Sequence, residues 1–136
     1  MLVTNVPPKI LTRFVLINPL SAHNVGAVAR AVKTMGFDDL VIISPHDPKV
    51  TSRKKAKEGA SGAMDVLLSS KVMIPSGDDD GSGGGVLSSE DVFPWLQNID
   101  LVCATGMPHD MSRARKKRDY LPPRAFFESL LSEGWQ

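Results

Sequence analysis

Three residues near the N-terminus have the types and spacing to handle a phosphate or a hydroxyl group. Residues 22–30 read AHNVGAVAR, in which Asn24, Gly26 and Arg30 follow the apolar run RFVLINP. Asn24 can accept hydrogen bonds from the amides of a first helical turn, and Arg30 can bind phosphate oxygens through two N–H groups. Gly26 costs roughly 1 kcal/mol against alanine inside a helix, so its presence requires a reason. Three explanations compete: a phosphate-cradling loop, an ordinary helix entry, or a site for a phosphorylated polymer.

The known glycine-rich phosphate loops do not match this stretch. A dinucleotide fingerprint needs G-x-G-x-x-G, and a P-loop needs a second glycine followed by Lys and Ser or Thr; the stretch has neither pattern. A helix entry explains Asn24 as the N-cap and explains Gly26 in part, but it leaves Arg30 unexplained. On a helical wheel Gly26, Arg30 and Lys33 share one polar flank. We therefore expect Gly26 to leave the Arg30 guanidinium open to a ligand.

The net charge of the chain is small, but its charged residues are gathered in a few segments. The 136 residues carry a net charge of only +1, with 42% hydrophobic residues, which is ordinary for one soluble domain. Cations nevertheless gather in two runs, RKKAK at 53–57 and RARKKR at 113–118, while three acids gather at 78–80. A single basic run is usually solvated surface, but two runs beside a candidate site favour contact with nucleic acid.

Several classes of protein are disfavoured by the composition. No apolar run approaches the roughly 18 residues that span a bilayer, and the N-terminus lacks the apolar core of a secretory signal. The one cysteine, Cys103, cannot form an internal disulfide, which favours a reducing compartment, the cytoplasm or an organelle. The three histidines lie far apart in sequence and no Cys/His cluster has zinc spacing, so we expect no metal site.

The apolar pattern alternates between strands and helices. Short runs rich in β-branched residues predict strands at 13–18, 39–44, 71–75 and 100–105. Helical spacing predicts helices at 24–35, 52–70 (weakened by glycines), 88–98 and 123–134. Gly36 is expected to end the first helix, and the Gly/Ser/Asp tract at 76–91 to form a flexible surface insertion.

Strands that are apolar throughout predict an α/β fold: a mostly parallel sheet with helices on both faces. In such sheets ligands bind beyond the carboxyl ends of the strands. We therefore expect residues 24–30, 45–55 and 105–118 to share one edge of the sheet, with Arg30 near it.

The segment FVLINPLSAHNVGAVARAVKTMGFDDLVIISP resembles the opening segment of the SpoU/TrmH family within the SPOUT superfamily, in particular its TrmJ-like branch of tRNA/rRNA methyltransferases. The resemblance covers residues 13–45 specifically and extends more loosely to about residue 125, through KEGASGAMDVL and DLVCATG. The residues that carry it are Asn18-Pro19, Asn24, Gly26, Arg30, Gly36-Phe37 and Pro45.

The resemblance implies a SPOUT-like, Rossmann-like fold and methyl transfer from S-adenosylmethionine to a ribose 2′-hydroxyl of tRNA or rRNA. It assigns Arg30 to help deprotonate that hydroxyl and Asn24 to hold the nucleotide. A fixed cation beside the hydroxyl lowers the free energy of the developing alkoxide. It also implies a homodimer and places cofactor contacts at Thr105, Gly106 and Met107. With the two basic runs, the predicted RNA contacts are Asn24, Arg30, Lys33, Arg53, Lys54, Lys55, Arg113, Arg115, Lys116 and Lys117.

The sequence departs from the family pattern after the fourth predicted strand. The family's C-terminal trefoil knot has no counterpart before Gln136, and GMPHDMSR stands where the family often has an Ala-Arg pair. We therefore expect residues 1–136 to form a single, C-terminally truncated SpoU-type domain with an incomplete cofactor pocket. The alternative is a non-catalytic RNA-binding or dimerisation module of the same family. Either form would leave one sheet edge unpaired, which favours dimerisation.

Overall fold

The computed structural model describes residues 11–75, 89–102 and 123–133. By their contacts, the described residues between 11 and 98 form one compact unit, and the described residues from 99 onwards belong to a second. The strands are β1 (Arg13–Ile17), β2 (Asp39–Ile43) and β3 (Lys71–Met73). The α-helices are α1 (Ala22–Thr34), α2 (Lys54–Ala60), α3 (Met64–Ser69), α4 (Ser89–Leu96) and α5 (Pro123–Ser132).

The described strands form one parallel sheet in the order β1-β2-β3. Ile17 pairs with Ile43, and Ile43 pairs with Met73, so the three strands end at nearly the same level. This arrangement confirms the predicted α/β class. The fourth predicted strand is not among the described strands, because residues 100–102 lie outside any strand and residues 103–105 lie outside the described residues.

Helices α1, α2 and α3 pack on one face of the sheet. Both crossovers, β1-α1-β2 and β2-α2-α3-β3, step in the same direction across the sheet, and the handedness of such connections then places their helices on one face. The buried cluster between these helices and the sheet contains Val25, Ala29, Val32, Leu40, Ile42, Val50, Ala56, Ala60, Val66 and Leu67. Phe14 and Leu16 of β1 pack against the same cluster.

Helix α4 lies against the opposite face. Side chains alternate along a strand, so Arg13, Asp39 and Lys71 point away from the cluster that Phe14, Leu40 and Val72 join. Arg13 Nε donates to Asp39 Oδ2 at 2.9 Å, and Arg13 Nη1 donates to the carbonyl oxygen of Trp95 at 3.3 Å. Lys71 Nζ lies 5.9 Å from the centroid of the Trp95 ring. The predicted coverage of both sheet faces is thereby confirmed.

Helix α1 begins earlier than the sequence predicted, whereas its C-terminal end matches the prediction. Ser21, not Asn24, is the N-cap of α1: its backbone is extended, and its Oγ accepts from the Asn24 amide at 3.5 Å. The N-cap role predicted for Asn24 is wrong because Ser21 is also a capping residue and stands one turn earlier. At the other end Gly36 adopts φ +86 just after the C-cap Met35. This left-handed residue confirms the predicted stop.

The later helices follow the pattern with smaller differences. The glycine-weakened helix predicted at 52–70 divides into α2 and α3, with 3-10 turns at Val50–Ser52 and Ser61–Ala63. The flexible tract predicted at 76–91 is wrong for its last residues, because α4 begins at Ser89; residues 76–88 lie outside the described residues. Two acids in the first turn of α4, Glu90 and Asp91, favour a helix start at that point. Helix α5 matches its prediction.

Candidate functional site

The carboxyl edge of the sheet is a regular row of residues that precede prolines. The strands β1, β2 and β3 are followed by Asn18-Pro19, Ser44-Pro45 and Ile74-Pro75. Asn18 and Ser44 both have a φ of 49°, a conformation uncommon outside glycine. Their amides continue the strand ladder, since Asn18 N donates to the Ile43 carbonyl at 2.9 Å and Ser44 N donates to the Met73 carbonyl at 2.8 Å. Helix α1 begins directly beside this row.

The two residues assigned to the chemistry are both exposed on α1, but the structure does not bring them together. Asn24 lies in the first turn, beside the carboxyl edge, whereas Arg30 lies six residues further along. Six residues correspond to about 9 Å along the helix axis and to about 120° between the two directions around it. The carboxyl edge therefore has Asn24 next to it, and Arg30 lies deeper along the helix than the sequence predicted.

Gly26 faces the neighbouring helix rather than solvent. It is buried, and a Cβ placed on it would lie 2.0 Å from the carbonyl oxygen of Ala56 and 2.7 Å from the amide nitrogen of Ala60. The contact is reciprocal, because a Cβ on Gly59 would lie 2.4 Å from the carbonyl oxygen of His23. The backbones of α1 and α2 thus touch at two glycines. The expectation that Gly26 opens a path to Arg30 is wrong, since α2 fills that space.

Gly59 is a residue that sequence reasoning did not single out. Ala56, Gly59 and Ala60 stand at positions i, i+3 and i+4 of α2 and are all buried. Residues at this spacing share one face of a helix, so three small side chains in a row indicate a face that another helix approaches closely. The stretch KAKEGA therefore contained the signal for this contact.

Three of the predicted RNA-binding cations are engaged by acids of the chain itself. Lys33 Nζ donates to Asp65 Oδ1 at 2.8 Å and to the Gly62 carbonyl at 3.1 Å. Arg53 donates to Asp47 through Nε and, at 3.1 Å, through Nη2. Lys54 lies 3.8 Å from Glu58.

The Lys33–Asp65 and Arg53–Asp47 pairs lower the pKa of the acid in each pair. The hydrogen bond from Arg53 holds the pKa of Asp47 below its usual range. The hydrogen bond from Lys33 lowers the pKa of Asp65 in the same way. Both carboxylates are therefore held in their charged form, and their partners are less available to a ligand.

Arg30 and Lys55 have no such partner. Both side chains are exposed, and neither makes a hydrogen bond or an ion pair through its side chain within residues 11–75, 89–102 and 123–133. The remaining predicted site residues lie outside those ranges: Arg113, Arg115, Lys116 and Lys117 for RNA and Thr105, Gly106 and Met107 for the cofactor. Their roles stay predictions.

Ser44 is a second residue that the sequence did not indicate. It is 1% exposed, and its Oγ has no hydrogen-bond partner in the described part of the chain. A buried hydroxyl without a partner is unfavourable, and this one lies at the carboxyl end of the central strand.

Two searches of the described residues complete the picture of the site. No group of three or more His, Cys, Asp or Glu side chains among them could hold a metal ion. No helix among them is both long and apolar enough to cross a membrane.

The chain is similar to several known proteins over part of its length. Three solved structures are similar over about half of this chain: a probable methyltransferase from Bordetella pertussis Tohama I (46% identity, TM-score 0.44, 45% of this chain and 36% of that one), TrmJ from Z. mobilis ZM4 (33%, TM-score 0.42, 47% and 28%), and a putative methylase family protein from Neisseria gonorrhoeae (28%, TM-score 0.41, 50% and 40%).

The sequence matches are confined to the same region. An uncharacterized tRNA/rRNA methyltransferase of Escherichia coli (strain K12), LasT, is 40% identical over 58 residues, which are 43% of this chain and 24% of LasT. The model of the SpoU rRNA Methylase family matches residues 12–73, the part of the chain that runs from β1 to β3 and contains Asn24, Gly26 and Arg30. Residues 12–73, just under half of the chain, are therefore similar to the SpoU rRNA Methylase family, and the chain matches only about a quarter of the length of LasT.

Proposed function

We propose that this chain is the substrate-facing part of a cytoplasmic RNA methyltransferase that transfers a methyl group from S-adenosylmethionine to a ribose 2′-hydroxyl of tRNA or rRNA. The observation that carries the proposal is Arg30: it lies inside the family match, it is exposed, and its side chain has no partner within the described residues. The description of LasT as a tRNA/rRNA methyltransferase supports the choice of RNA as the substrate.

The chemistry proposed for Arg30 follows from its permanent charge. A ribose hydroxyl is a weak nucleophile, and a guanidinium beside it stabilises the alkoxide as the proton leaves. The same group can hold a neighbouring phosphate through two N–H donors, which orients the nucleotide. Asn24 would hydrogen-bond the nucleotide through its amide. S-adenosylmethionine would supply the methyl group.

The geometry of α1 supports a homodimer as part of the proposal. Asn24 and Arg30 point about 120° apart around the helix, so one small ligand does not reach both side chains within a single protomer. A second copy that approaches α1 would allow the two residues to serve the same RNA from different protomers. The cofactor contacts proposed at Thr105, Gly106 and Met107 belong to the part of the chain outside the described residues.

The test joins residues 1–136 to the C-terminal half of a family member and measures tritiated methyl transfer to tRNA and rRNA transcripts. The short chain alone is measured in the same assay, which tests the incomplete cofactor pocket expected from the sequence. In the joined protein, Arg30→Ala should lower the rate by roughly a hundred- to a thousand-fold, the usual effect of removing one preorganised charged group. Cofactor binding measured by calorimetry should stay unchanged.

Two further variants make this test specific. Arg30→Lys keeps the charge but not the two-donor geometry. A partial loss of methyl-transfer rate in this variant would separate the contribution of the charge from that of the geometry. Lys57→Ala removes an exposed cation on α2 and serves as the control for overall charge. A fully active Arg30→Ala protein would refute the role of Arg30, and transfer by the short chain alone would refute the incomplete cofactor pocket. RNA binding without any transfer by the joined protein would favour a non-catalytic RNA-binding module.

A further inference from the structure

We propose that the outer side of the contact between α1 and α2 is the track along which the RNA phosphate backbone runs, with Lys55 as its principal contact on α2. We call this surface the seam and define it by the four exposed residues that border it: His23, Ala27, Arg30 and Lys55. The inference rests on the proposed function, because it concerns the same RNA.

The reciprocal glycine contact fixes which side chains border the seam. Gly59 lies between His23 and Ala27, since a Cβ on Gly59 would be 2.4 Å from the His23 carbonyl oxygen and 3.1 Å from the Ala27 amide nitrogen. Residues four apart lie one above the other on a helix. Lys55 therefore stands one turn before Gly59 on the same side of α2, and Arg30 stands nearly one turn beyond Ala27 on α1.

The two helices run in the same direction, which separates the two cations along the seam. Each follows a parallel strand and returns across the same face of the sheet. Lys55 consequently borders the end of the seam near the carboxyl edge, and Arg30 borders the other end. Between them the exposed surface of α1 carries Ala27, whereas Gly59 of α2 is buried in the contact between the helices. A phosphate backbone can approach closely there because the alanine side chain is short.

The charge of the seam selects a polyanion as its occupant. Both bordering cations are exposed and have no partner within the described residues. Three acids on α2, on α3 and in the loop before α2 are paired with other cations: Asp47 with Arg53, Asp65 with Lys33 and Glu58 with Lys54. The seam therefore presents uncompensated positive charge. Cations that neutralise phosphates release the counterions condensed on a nucleic acid, and this release supplies most of its sequence-independent affinity for a protein.

Helix α2 offers its own matched control for this inference. Lys57 is exposed, and no partner is described for its side chain within residues 11–75, 89–102 and 123–133. It stands two residues after Lys55, which places it about 200° away around the helix and so on a different side. Lys55→Gln and Lys57→Gln remove the same charge from the same helix, and only the first removes it from the seam.

The experiment measures the affinity of the full 136-residue chain for a fluorescently labelled tRNA transcript, by anisotropy, between 50 and 200 mM KCl. We expect Lys55→Gln to reduce the slope of log affinity against log salt by about one, the effect of one lost phosphate contact. Lys57→Gln should leave the slope unchanged. Equal slopes for the two variants would overturn the seam as the track. Absence of salt-dependent binding by the unaltered chain would overturn both the seam and the RNA substrate.

Discussion

Lys33 and Arg30 stand three residues apart on α1 with the same charge, yet their surroundings differ completely. Lys33 reaches across to the turn between α2 and α3, where it binds Asp65 and the Gly62 carbonyl. Arg30 is exposed, and its side chain makes no hydrogen bond or ion pair with any described residue. Of these two neighbouring cations, Lys33 is therefore engaged in the fold and Arg30 is open to a ligand.

The difference teaches that the Asn-x-Gly-x-x-x-Arg pattern combines two separate requirements. Gly26 is engaged in the fold, because the backbone of α2 occupies the space a side chain would need. Arg30, one turn further along the same flank, is open to a ligand. The glycine does not clear a path for the ligand; it fixes the distance between α1 and α2 beside Arg30.

Substitution at Gly26 should give the largest effect on stability. In Gly26→Ala the new methyl would lie 2.0 Å from the Ala56 carbonyl oxygen, and a backbone cannot move aside as a flexible side chain does. We expect the free energy of unfolding to fall by about 3 kcal/mol, at the upper end for overpacked positions. Urea denaturation followed by circular dichroism measures it.

Gly62→Ala is the matched control, because a Cβ on Gly62 meets nothing within 4 Å. It should be neutral or stabilise the protein by up to about 1 kcal/mol, since alanine restricts the unfolded chain. If Gly26→Ala unfolds at the same urea concentration as Gly62→Ala, α1 and α2 are not in backbone contact and the role assigned to Gly26 fails.

The sequence predicted those features that a local pattern controls. Strands β1 and β2 are short runs of apolar residues, and Gly36 ends α1 by a left-handed conformation that glycine readily adopts. The N-cap was placed wrongly because Ser21 and Asn24 are both good capping residues, and periodicity does not distinguish starts one turn apart. The partner of Gly26 was missed for another reason. The spacing of Ala56, Gly59 and Ala60 indicates that another helix approaches α2 closely, but spacing within one helix does not identify the distant residue that it contacts.

Only part of the candidate site could likewise be predicted from the sequence. The residue types at Asn24 and Arg30 indicated polar chemistry, and the structure leaves both side chains exposed. Their separation around α1 and the pairing of Lys33 and Arg53 with acids depend on how the elements pack. Charge runs in a sequence show where cations are, but only the packing shows which cations are already neutralised.

Replacing Lys33 or Arg30 by methionine tests the difference between these two cations, and we expect a smaller effect on stability than from Gly26→Ala. Lys33→Met removes the contacts to Asp65 and Gly62, so the melting temperature should fall slightly, as expected for an exposed ion pair. Arg30→Met removes no contact within the described residues, so the melting temperature should stay unchanged. Differential scanning calorimetry at low and at high salt measures both. If the melting temperature fell more in Arg30→Met than in Lys33→Met, the Arg30 side chain would be shown to stabilise the fold.

The smallest expected effect is the dependence of the Lys33 contribution on pH. Lys33 lowers the pKa of Asp65 in the folded protein, so the folded state binds the proton less readily than the unfolded state. The stability gained from the pair is therefore complete above the unfolded pKa of about 3.9 and is lost as the pH falls through the lower, folded pKa. The difference in unfolding free energy between the unaltered chain and Lys33→Met should stay constant from pH 7 to 5 and narrow below pH 4. Urea midpoints at each pH measure it, with Arg30→Met as the control that should show no such narrowing. If the difference in unfolding free energy widened on acidification, the pKa of Asp65 would be higher in the folded state than in the unfolded state. The stability contributed by Lys33 would then come from its contact with the Gly62 carbonyl alone.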